Sequence, residues 1–171
     1  MGEIRLRKSA NQSNLNSTVM NAVNKSFHFA PQVFNIPNNP INPNLVSVMM
    51  PFDASFDRVL ETIRSTCLDL YLECKRADDI WNNIIIIQDI FELIYCSSVV
   101  IVDYSNKNPN VFYEAGIAHT LGKPVIPITQ NDNDVPLDLR HHRYIKYLNN
   151  SEGLRKLEAK LKDRIKILKS N

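Results

Sequence analysis

The sequence is short of cysteine and glycine, and each shortage argues against a class of protein. Its 171 residues include three cysteines and four glycines. The cysteines form no Cys-x-x-Cys pair, which argues against a disulfide framework and favours free thiols in a reducing compartment. The glycines form neither a Gly-x-Gly-x-x-Gly run after the first expected strand nor a Walker A loop. Dehydrogenase-type dinucleotide binding and P-loop phosphate chemistry are therefore disfavoured.

An excess of charge of one sign and long apolar runs are also missing. Twenty Lys and Arg residues stand against 18 Asp and Glu residues, for a formal net charge of +2. That balance predicts neither a nucleic-acid partner nor affinity for membranes. No apolar run approaches the roughly 20 residues of a bilayer span, and the N-terminus lacks the apolar stretch of a secretory signal. The four histidines show no metal-ligand spacing, so we expect a cytoplasmic protein without a metal or a tightly bound cofactor.

The first quarter of the chain differs from the rest in composition. Residues 1–44 are rich in asparagine, and Pro31, Pro37, Pro40 and Pro43 interrupt their second half. Such a segment is poorly suited to a regular helix or a central strand. We expect an irregular arm over residues 1–44, with at most one short helix over residues 15–23, and a folded domain over residues 45–171.

Within the domain, apolar runs alternate with segments of helical periodicity. The patterns predict strands at residues 45–50, 72–76, 99–103, 125–129 and 144–147, and helices at residues 55–70, 84–94, 108–121 and 151–169. Ser55 is the expected cap of the first helix. For the helix at residues 108–121 we expect Asn108 as the cap, Pro109 in the first position and Gly122 as the stop. The four isoleucines at 84–87 would also suit a strand, and in either case we expect them in the core. Apolar strands alternating with amphipathic helices predict a five-stranded, mostly parallel sheet with helices on both faces, flavodoxin-like or Rossmann-like.

Polar and aromatic side chains follow several of these strands, at the edge where open α/β sheets bind ligands. Glu114 stands out because it falls in the second turn of the helix after the third strand, where an ionised carboxylate could act on a sugar anomeric carbon. Several of the other residues at this edge have a purely structural role as an alternative to a functional one. Asp103 could cap its own loop, Arg76 and Asp79 could pair with each other, and Trp81 could fill core or stack on a base. The full set is Pro51, Phe52, Asp53, Arg76, Asp79, Trp81, Asp103, Asn108, Asn110 and Glu114.

Three segments resemble a known group of proteins. The run from Asn108 to His119, followed by Gly-Lys-Pro-Val-Ile from Gly122, is similar to the signature of nucleoside 2-deoxyribosyltransferase-like proteins and of bacterial TIR-like nucleotide-binding domains. The Val-Met-Met-Pro-Phe-Asp segment ending at Asp53 and the Arg-Ala-Asp-Asp segment at 76–79 also resemble theirs. The resemblance covers about residues 45–147.

This resemblance implies a site chemistry centred on Glu114. In the transferases the corresponding glutamate is the nucleophile that forms a glycosyl ester, and in TIR domains that cleave NAD a glutamate on the corresponding helix serves nicotinamide release. Asp103 or Asp79 would protonate the departing base, and Arg76 and Asn110 would position phosphate or ribose. Pro51, Phe52, Asp53, Trp81 and Asn108 would complete the substrate site. NAD would be a substrate rather than a cofactor.

One position departs from the transferase pattern. That family commonly has an aspartate six residues before the glutamate, where this chain has Asn108. An amide can hydrogen-bond a sugar but cannot relay a proton. The alternative is therefore a non-catalytic, TIR-like module that senses a nucleotide or assembles with other chains. Under either reading the expected partners are a small nucleotide or nucleoside and further copies of the chain.

Overall fold

The computed structural model describes residues 31–80 and 85–170, and the chain divides into two compact units, residues 1–33 and 34–171. In the described part of the second unit the strands are β1 (Asn42–Met49), β2 (Glu73–Arg76), β3 (Ser97–Asp103), β4 (Val125–Thr129) and β5 (Ile145–Lys146). The α-helices are α1 (Asp57–Asp69), α2 (Ile86–Cys96), α3 (Pro109–Thr120) and α4 (Ser151–Lys169). Trp81 and the short helix predicted over residues 15–23 lie outside the described residues.

The five strands form one parallel sheet in the order β2-β1-β3-β4-β5. This is the strand order of flavodoxin-like folds, and it confirms the predicted parallel α/β architecture. None of the described helices is long and apolar enough to cross a bilayer.

Each face of the sheet carries its own apolar cluster because side chains alternate along a strand. Val46, Val48 and Ile101 point to the face covered by α1 and α4. Leu45 and Met49 point to the opposite face, where the buried sides of α2 and α3 pack. The middle strands are therefore buried on both sides, as their largely apolar sequences predict.

β1 begins at Asn42, three residues before its predicted start, and it contains Pro43. Proline was expected to exclude this segment from the sheet. It is tolerated because β2 pairs with β1 only from Leu45 onward, so residues 42–44 extend beyond that neighbour. On the other side the register with β3 is irregular between Asn42 and Val46. A residue without an N–H is accepted where the ladder is incomplete.

The four isoleucines at 84–87 are not all in the core, contrary to expectation. Ile84 lies outside the described residues. The helix starts at Ile86, so Ile85 lies at its entry and Ile86 and Ile87 lie in its first turn. Ile85 and Ile86 are 64% and 75% exposed, whereas Ile87 packs against the α2/α3 cluster. Consecutive residues cannot all face one side of a helix.

Caps explain where several elements begin and end. Asn108 Oδ1 accepts a hydrogen bond from the Asn110 N–H at 2.9 Å, and Pro109 is the first residue of α3, as predicted. Gly122, with φ of 66°, follows the end of that helix in the left-handed conformation that glycine adopts easily. Ser55, however, caps no helix. Asp53 accepts the Ser55 N–H at 2.8 Å and opens a short 3-10 turn before α1.

Two residues of the predicted arm pack on α2. The rings of Phe34 and Phe91 stack with centroids 4.5 Å apart. The Asn35 backbone donates to the Gln88 side chain at 3.0 Å and accepts from it at 2.9 Å. The second compact unit accordingly begins at Phe34.

Candidate functional site

The strand order reverses direction between β1 and β3, which makes their carboxyl ends the switch point of the sheet. Ligands of open α/β sheets bind in the crevice at such a point. Pro51, Phe52 and Asp53 follow β1, and Tyr104 and Ser105 follow β3. The helix carrying Glu114 starts from the same edge.

Glu114 is buried rather than exposed in an open cleft. It lies on the inner side of α3 with Val111, Ala115 and Ala118, and it is 5% exposed. No hydrogen bond or ion pair to its carboxylate occurs among the described residues, and burial raises its pKa to about 7. A carboxyl group that exchanges its proton near neutral pH can act as a nucleophile when ionised and as an acid when protonated.

Asp103 is fully buried, and its carboxylate accepts three hydrogen bonds. One carboxylate oxygen accepts from the Ser105 N–H at 3.0 Å and the Ser105 hydroxyl at 2.6 Å. The other accepts from the Tyr147 hydroxyl at 2.6 Å. Burial raises the pKa of Asp103, and these hydrogen bonds oppose that rise. The bonds tie the end of β3 to the residue after β5.

Asp103 and Glu114 lie on opposite faces of the sheet. Tyr147, the partner of Asp103, belongs to the cluster under α1 and α4. The inner side of α3, which carries Glu114, belongs to the cluster on the other face. The geometry therefore gives Asp103 the loop-capping role that the sequence offered as its alternative.

Arg76 is held in place at the end of β2. Its Nε donates to Asp78 Oδ1 at 2.7 Å, and its Nη2 pairs with Asp78 Oδ2. The guanidinium lies over the Phe52 ring, 5.0 Å from the centroid. Nη1 is enclosed and has no hydrogen-bond partner among residues 31–80 and 85–170. The Asp78 hydrogen bonds raise the pKa of Arg76, so its guanidinium keeps its charge. This fixed cation, with the Nη1 nitrogen unused as a donor, lies beside the exposed Phe52 ring.

The alternative role of Arg76 and Asp79, pairing with each other, is met only through the Arg76 backbone and not between their side chains. Asp79 binds Arg64 instead, with both carboxylate oxygens 2.7 Å from one Arg64 nitrogen. It also accepts the Arg76 backbone N–H at 2.8 Å. The sequence could not distinguish two adjacent aspartates, because a two-residue separation lets Arg76 reach Asp78 while α1 brings Arg64 to Asp79.

The remaining predicted residues are dispersed along the same edge. Pro51 is buried, Phe52 is 59% exposed, and Asp53 is exposed with its pKa lowered by the Ser55 hydrogen bonds. Asn108 uses its side-chain oxygen as a helix cap, and Asn110 is exposed. Among the described residues no group of His, Cys, Asp and Glu side chains is placed to hold a metal ion.

Sequence reasoning missed a set of enclosed polar atoms without hydrogen-bond partners. In the described part of the chain, four such side-chain atoms lack a hydrogen-bond partner: Ser47 Oγ, Arg76 Nη1, Tyr104 Oη and Asn149 Oδ1. Ser47 is in β1, Arg76 pairs in register with Val48, and Asn149 donates to the carbonyl of Ser55. Unsatisfied buried polar atoms are few in native proteins and call for an explanation. The available signal for Tyr104 was its position directly after the end of β3, at the edge where such sheets bind ligands.

The sequence matches no protein-family model and no curated protein. The structure is similar to solved ones. A 2-desoxiribosyltransferase from Leishmania mexicana matches with a TM-score of 0.52 and 13% identity, over 68% of this chain and 98% of that one. The TIR domain of a Toll-related receptor from Hydra magnipapillata matches with a TM-score of 0.55 and 19% identity, over 71% of this chain and 96% of that one.

These matches fall in the two groups to which the sequence motifs point. At such low sequence identities a structural likeness establishes the fold, whereas the activity has to be argued from the residues of the site. The chain therefore has the α/β fold that a nucleoside 2-deoxyribosyltransferase and a TIR domain share.

Proposed function

We propose that this protein cleaves or transfers the N-glycosidic bond of a nucleoside or nucleotide, with Glu114 as the nucleophile. The observation that carries the proposal is the state of Glu114: buried, without a partner in the described part of the chain, and with a pKa of about 7. An uncompensated buried carboxylate weakens a fold, and such groups concentrate at functional sites.

The ionised Glu114 would attack the anomeric carbon on the sugar face opposite the base. A carbon–oxygen bond forms as the carbon–nitrogen bond breaks, and the electron pair leaves with the base. Water or a second base then displaces the glutamate. The same carboxylate also stabilises the positive charge that develops on the sugar if the base departs early.

The departing base sets a requirement that favours one substrate class. A neutral base has to gain a proton as it leaves, whereas a positively charged pyridinium, as in NAD, leaves as a neutral molecule. Asp103 and Asp79, the predicted acids, already accept hydrogen bonds from Tyr147, Ser105 and Arg64. Neither carboxylate is therefore placed to give a proton to a departing base. A substrate whose leaving group is already cationic does not need that proton and is the better fit to the site.

Arg76 and Phe52 would hold the rest of the substrate. The unused Nη1 donor of Arg76 suits a phosphate oxygen. The exposed Phe52 ring suits a base. Asp78 fixes the guanidinium plane before a ligand arrives, which reduces the ordering cost of binding.

The test compares wild type with Glu114→Gln. Purified protein is incubated with NAD and a panel of nucleosides and nucleotides, and released base is measured by chromatography. Loss of the nucleophile should lower the rate roughly a thousandfold or more. Glu61→Gln, on the exposed side of α1, is the matched control and should leave the rate unchanged. Glu158 is less suitable because it pairs with Lys162. Equal rates in wild type and Glu114→Gln would remove Glu114 from the reaction.

A non-catalytic nucleotide sensor is the second candidate, and Asn108 favours it. Its side-chain oxygen is engaged as a helix cap, at the position where the transferases commonly carry an acid. Under this alternative the protein binds a member of the panel and releases no base from any of them.

A further inference from the structure

Tyr104 is a buried phenol whose hydroxyl has no hydrogen-bond partner in the described part of the chain. It is the first residue after β3 and is 1% exposed. Its ring packs against Phe112 of α3, with centroids 5.7 Å apart. The hydroxyl is enclosed and makes no hydrogen bond. Removing a phenol from water without replacing its hydrogen bond is unfavourable, so this hydroxyl needs an explanation.

The second buried phenol of the sheet behaves in the opposite way. The Tyr147 hydroxyl donates to Asp103 at 2.6 Å and accepts from Gln130 Nε2 at 3.0 Å. Both tyrosines follow strands at the carboxyl edge, but Tyr147 belongs to the α1/α4 cluster and Tyr104 to the α2/α3 cluster. The unpartnered phenol is thus the one on the Glu114 side of the sheet.

Stereochemistry determines which part of a substrate Tyr104 would meet. In a β-nucleoside the base projects from one face of the sugar, and the 2′- and 3′-hydroxyls project from the other. A nucleophile displacing the base approaches the face that carries these hydroxyls. A donor on the same side of the sheet as Glu114 would therefore meet a sugar hydroxyl rather than the base.

We propose that the Tyr104 hydroxyl donates a hydrogen bond to the 2′-hydroxyl of the bound sugar and makes the site select ribose over 2′-deoxyribose. This inference rests on the proposed function only for the placement of the sugar against Glu114. Burial raises the pKa of Tyr104 to about 12, so the phenol keeps its proton at neutral pH and remains a donor. A site with a buried donor for a substrate hydroxyl rejects the analogue that lacks it.

The contact requires a small movement because the hydroxyl is enclosed. Tyr104 belongs to a turn closed by the hydrogen bond from Lys107 N–H to its carbonyl, at 3.2 Å. Asn106 and Lys107 in that turn are exposed and have φ values of 64° and 52°. Non-glycine residues are strained there, so this turn is the part of the edge that would shift to admit the sugar.

The experiment measures binding of adenosine, 2′-deoxyadenosine and 3′-deoxyadenosine, and of uridine and 2′-deoxyuridine, by calorimetry. Wild type and Tyr104→Phe are compared, each also with Glu114→Gln so that turnover does not interfere. We expect wild type to bind the ribonucleosides about tenfold or more tightly than their 2′-deoxy forms, and Tyr104→Phe to bind both forms alike. Tyr147→Phe is the control and should keep the wild-type ratio.

The outcomes separate this inference from the proposed function. If wild type releases base but Tyr104→Phe keeps the ribose preference, the role of Tyr104 is wrong and Glu114 chemistry stands. If Tyr104→Phe loses the preference but no base is released, catalysis is wrong and the specificity role stands. A preference in wild type that follows the 3′-hydroxyl, no preference in wild type, or no binding of any probe by the folded protein would overturn the inference.

Discussion

At the residue scale, the environment of Glu114 has a direct consequence for stability. The folded protein keeps a proton on this carboxyl up to about pH 7, whereas its ordinary pKa is 4.5. Because the folded pKa is the higher one, the folded state binds more protons between these values. The stabilising contribution of the protonated form is fully present below pH 4.5 and is lost as the pH rises through 7.

Glu114→Gln should therefore change the pH dependence of unfolding. The amide cannot ionise, so the variant should exceed wild type in unfolding free energy at pH 8, by up to roughly 3 kcal/mol. At pH 4 the two proteins should be about equally stable. Urea unfolding at several pH values measures the difference, with Glu61→Gln as the exposed control. A constant difference across the pH range would show that Glu114 does not titrate in this way.

This expectation replaces the simpler one that an exposed cleft carboxylate suggests. From the sequence alone, Glu114→Gln would leave stability nearly unchanged, because exposed carboxylates contribute little. The motif correctly indicated which helix carries the residue. It could not indicate that the side chain faces the sheet, since that depends on how α3 packs.

At the element scale, the Asp103–Tyr147 hydrogen bond connects β3 to the short strand β5. β5 has two residues and pairs only with β4, so its own ladder holds it weakly. Gln130 adds to the network, because its backbone N–H donates to Ser105 Oγ at 2.8 Å and its side chain donates to Tyr147. The buried carboxylate thus fixes the β5 edge of the sheet.

Tyr147→Phe should destabilise the protein by about 1–3 kcal/mol, because it leaves a buried carboxylate oxygen without its donor. Tyr144→Phe is the matched control on the other side of β5. Its hydroxyl bonds Asp132, which lies in a half-buried loop and also pairs with Lys146, so its loss should cost less than about 1 kcal/mol. Both values come from urea unfolding. Equal losses of unfolding free energy in the two variants would mean that the buried Tyr147–Asp103 hydrogen bond stabilises the protein no more than the Tyr144–Asp132 hydrogen bond does.

The proline-rich segment before β1 is the second element with a measurable role. Phe34 and Asn35 contact α2, so limited proteolysis should leave a folded body that begins before Phe34, and not near Asn42. Phe34→Ala should lower the unfolding free energy by about 2–4 kcal/mol. Ile36→Ala, at a 43% exposed side chain, should have a much smaller effect. A stable fragment starting near residue 42 would contradict this expectation.

At the scale of the whole molecule, self-association stays a prediction. Ala115 and Ala118, two small residues of α3 that would allow close packing between chains, are buried against the sheet. Gly116 is the small residue on the outer side of α3, and a side chain added there would meet no atom within 4 Å. Of these three small residues, Gly116 alone lies where it could take part in a contact between chains.

We expect a homo-oligomer in sedimentation experiments at tens of micromolar, a concentration at which a specific interface of ordinary size holds. Gly116→Leu should fold at least as well as wild type, since glycine disfavours helix interiors by about 1 kcal/mol. If α3 forms the interface, this variant should dissociate. A wild-type monomer at these concentrations would contradict the prediction.

The sequence by itself determined the elements and their order. Largely apolar strands and amphipathic helices are local patterns, and burial of their apolar surfaces leaves a parallel sheet covered on both faces as the stable arrangement. The run around Glu114 also identified the helix, its Asn108 cap and its Gly122 end, because caps depend on a few neighbouring residues.

Only the tertiary structure decided which side chains meet. Arg76 binds Asp78 while Asp79 binds Arg64. Asp103 and Glu114 lie on opposite faces of the sheet. Among the described residues the Tyr104 hydroxyl has no hydrogen-bond partner, whereas the Tyr147 hydroxyl donates to Asp103. Two of these contacts, Arg64–Asp79 and Tyr147–Asp103, join residues 15 and 44 positions apart in the chain. They depend on strand order and helix packing, which local periodicity does not encode.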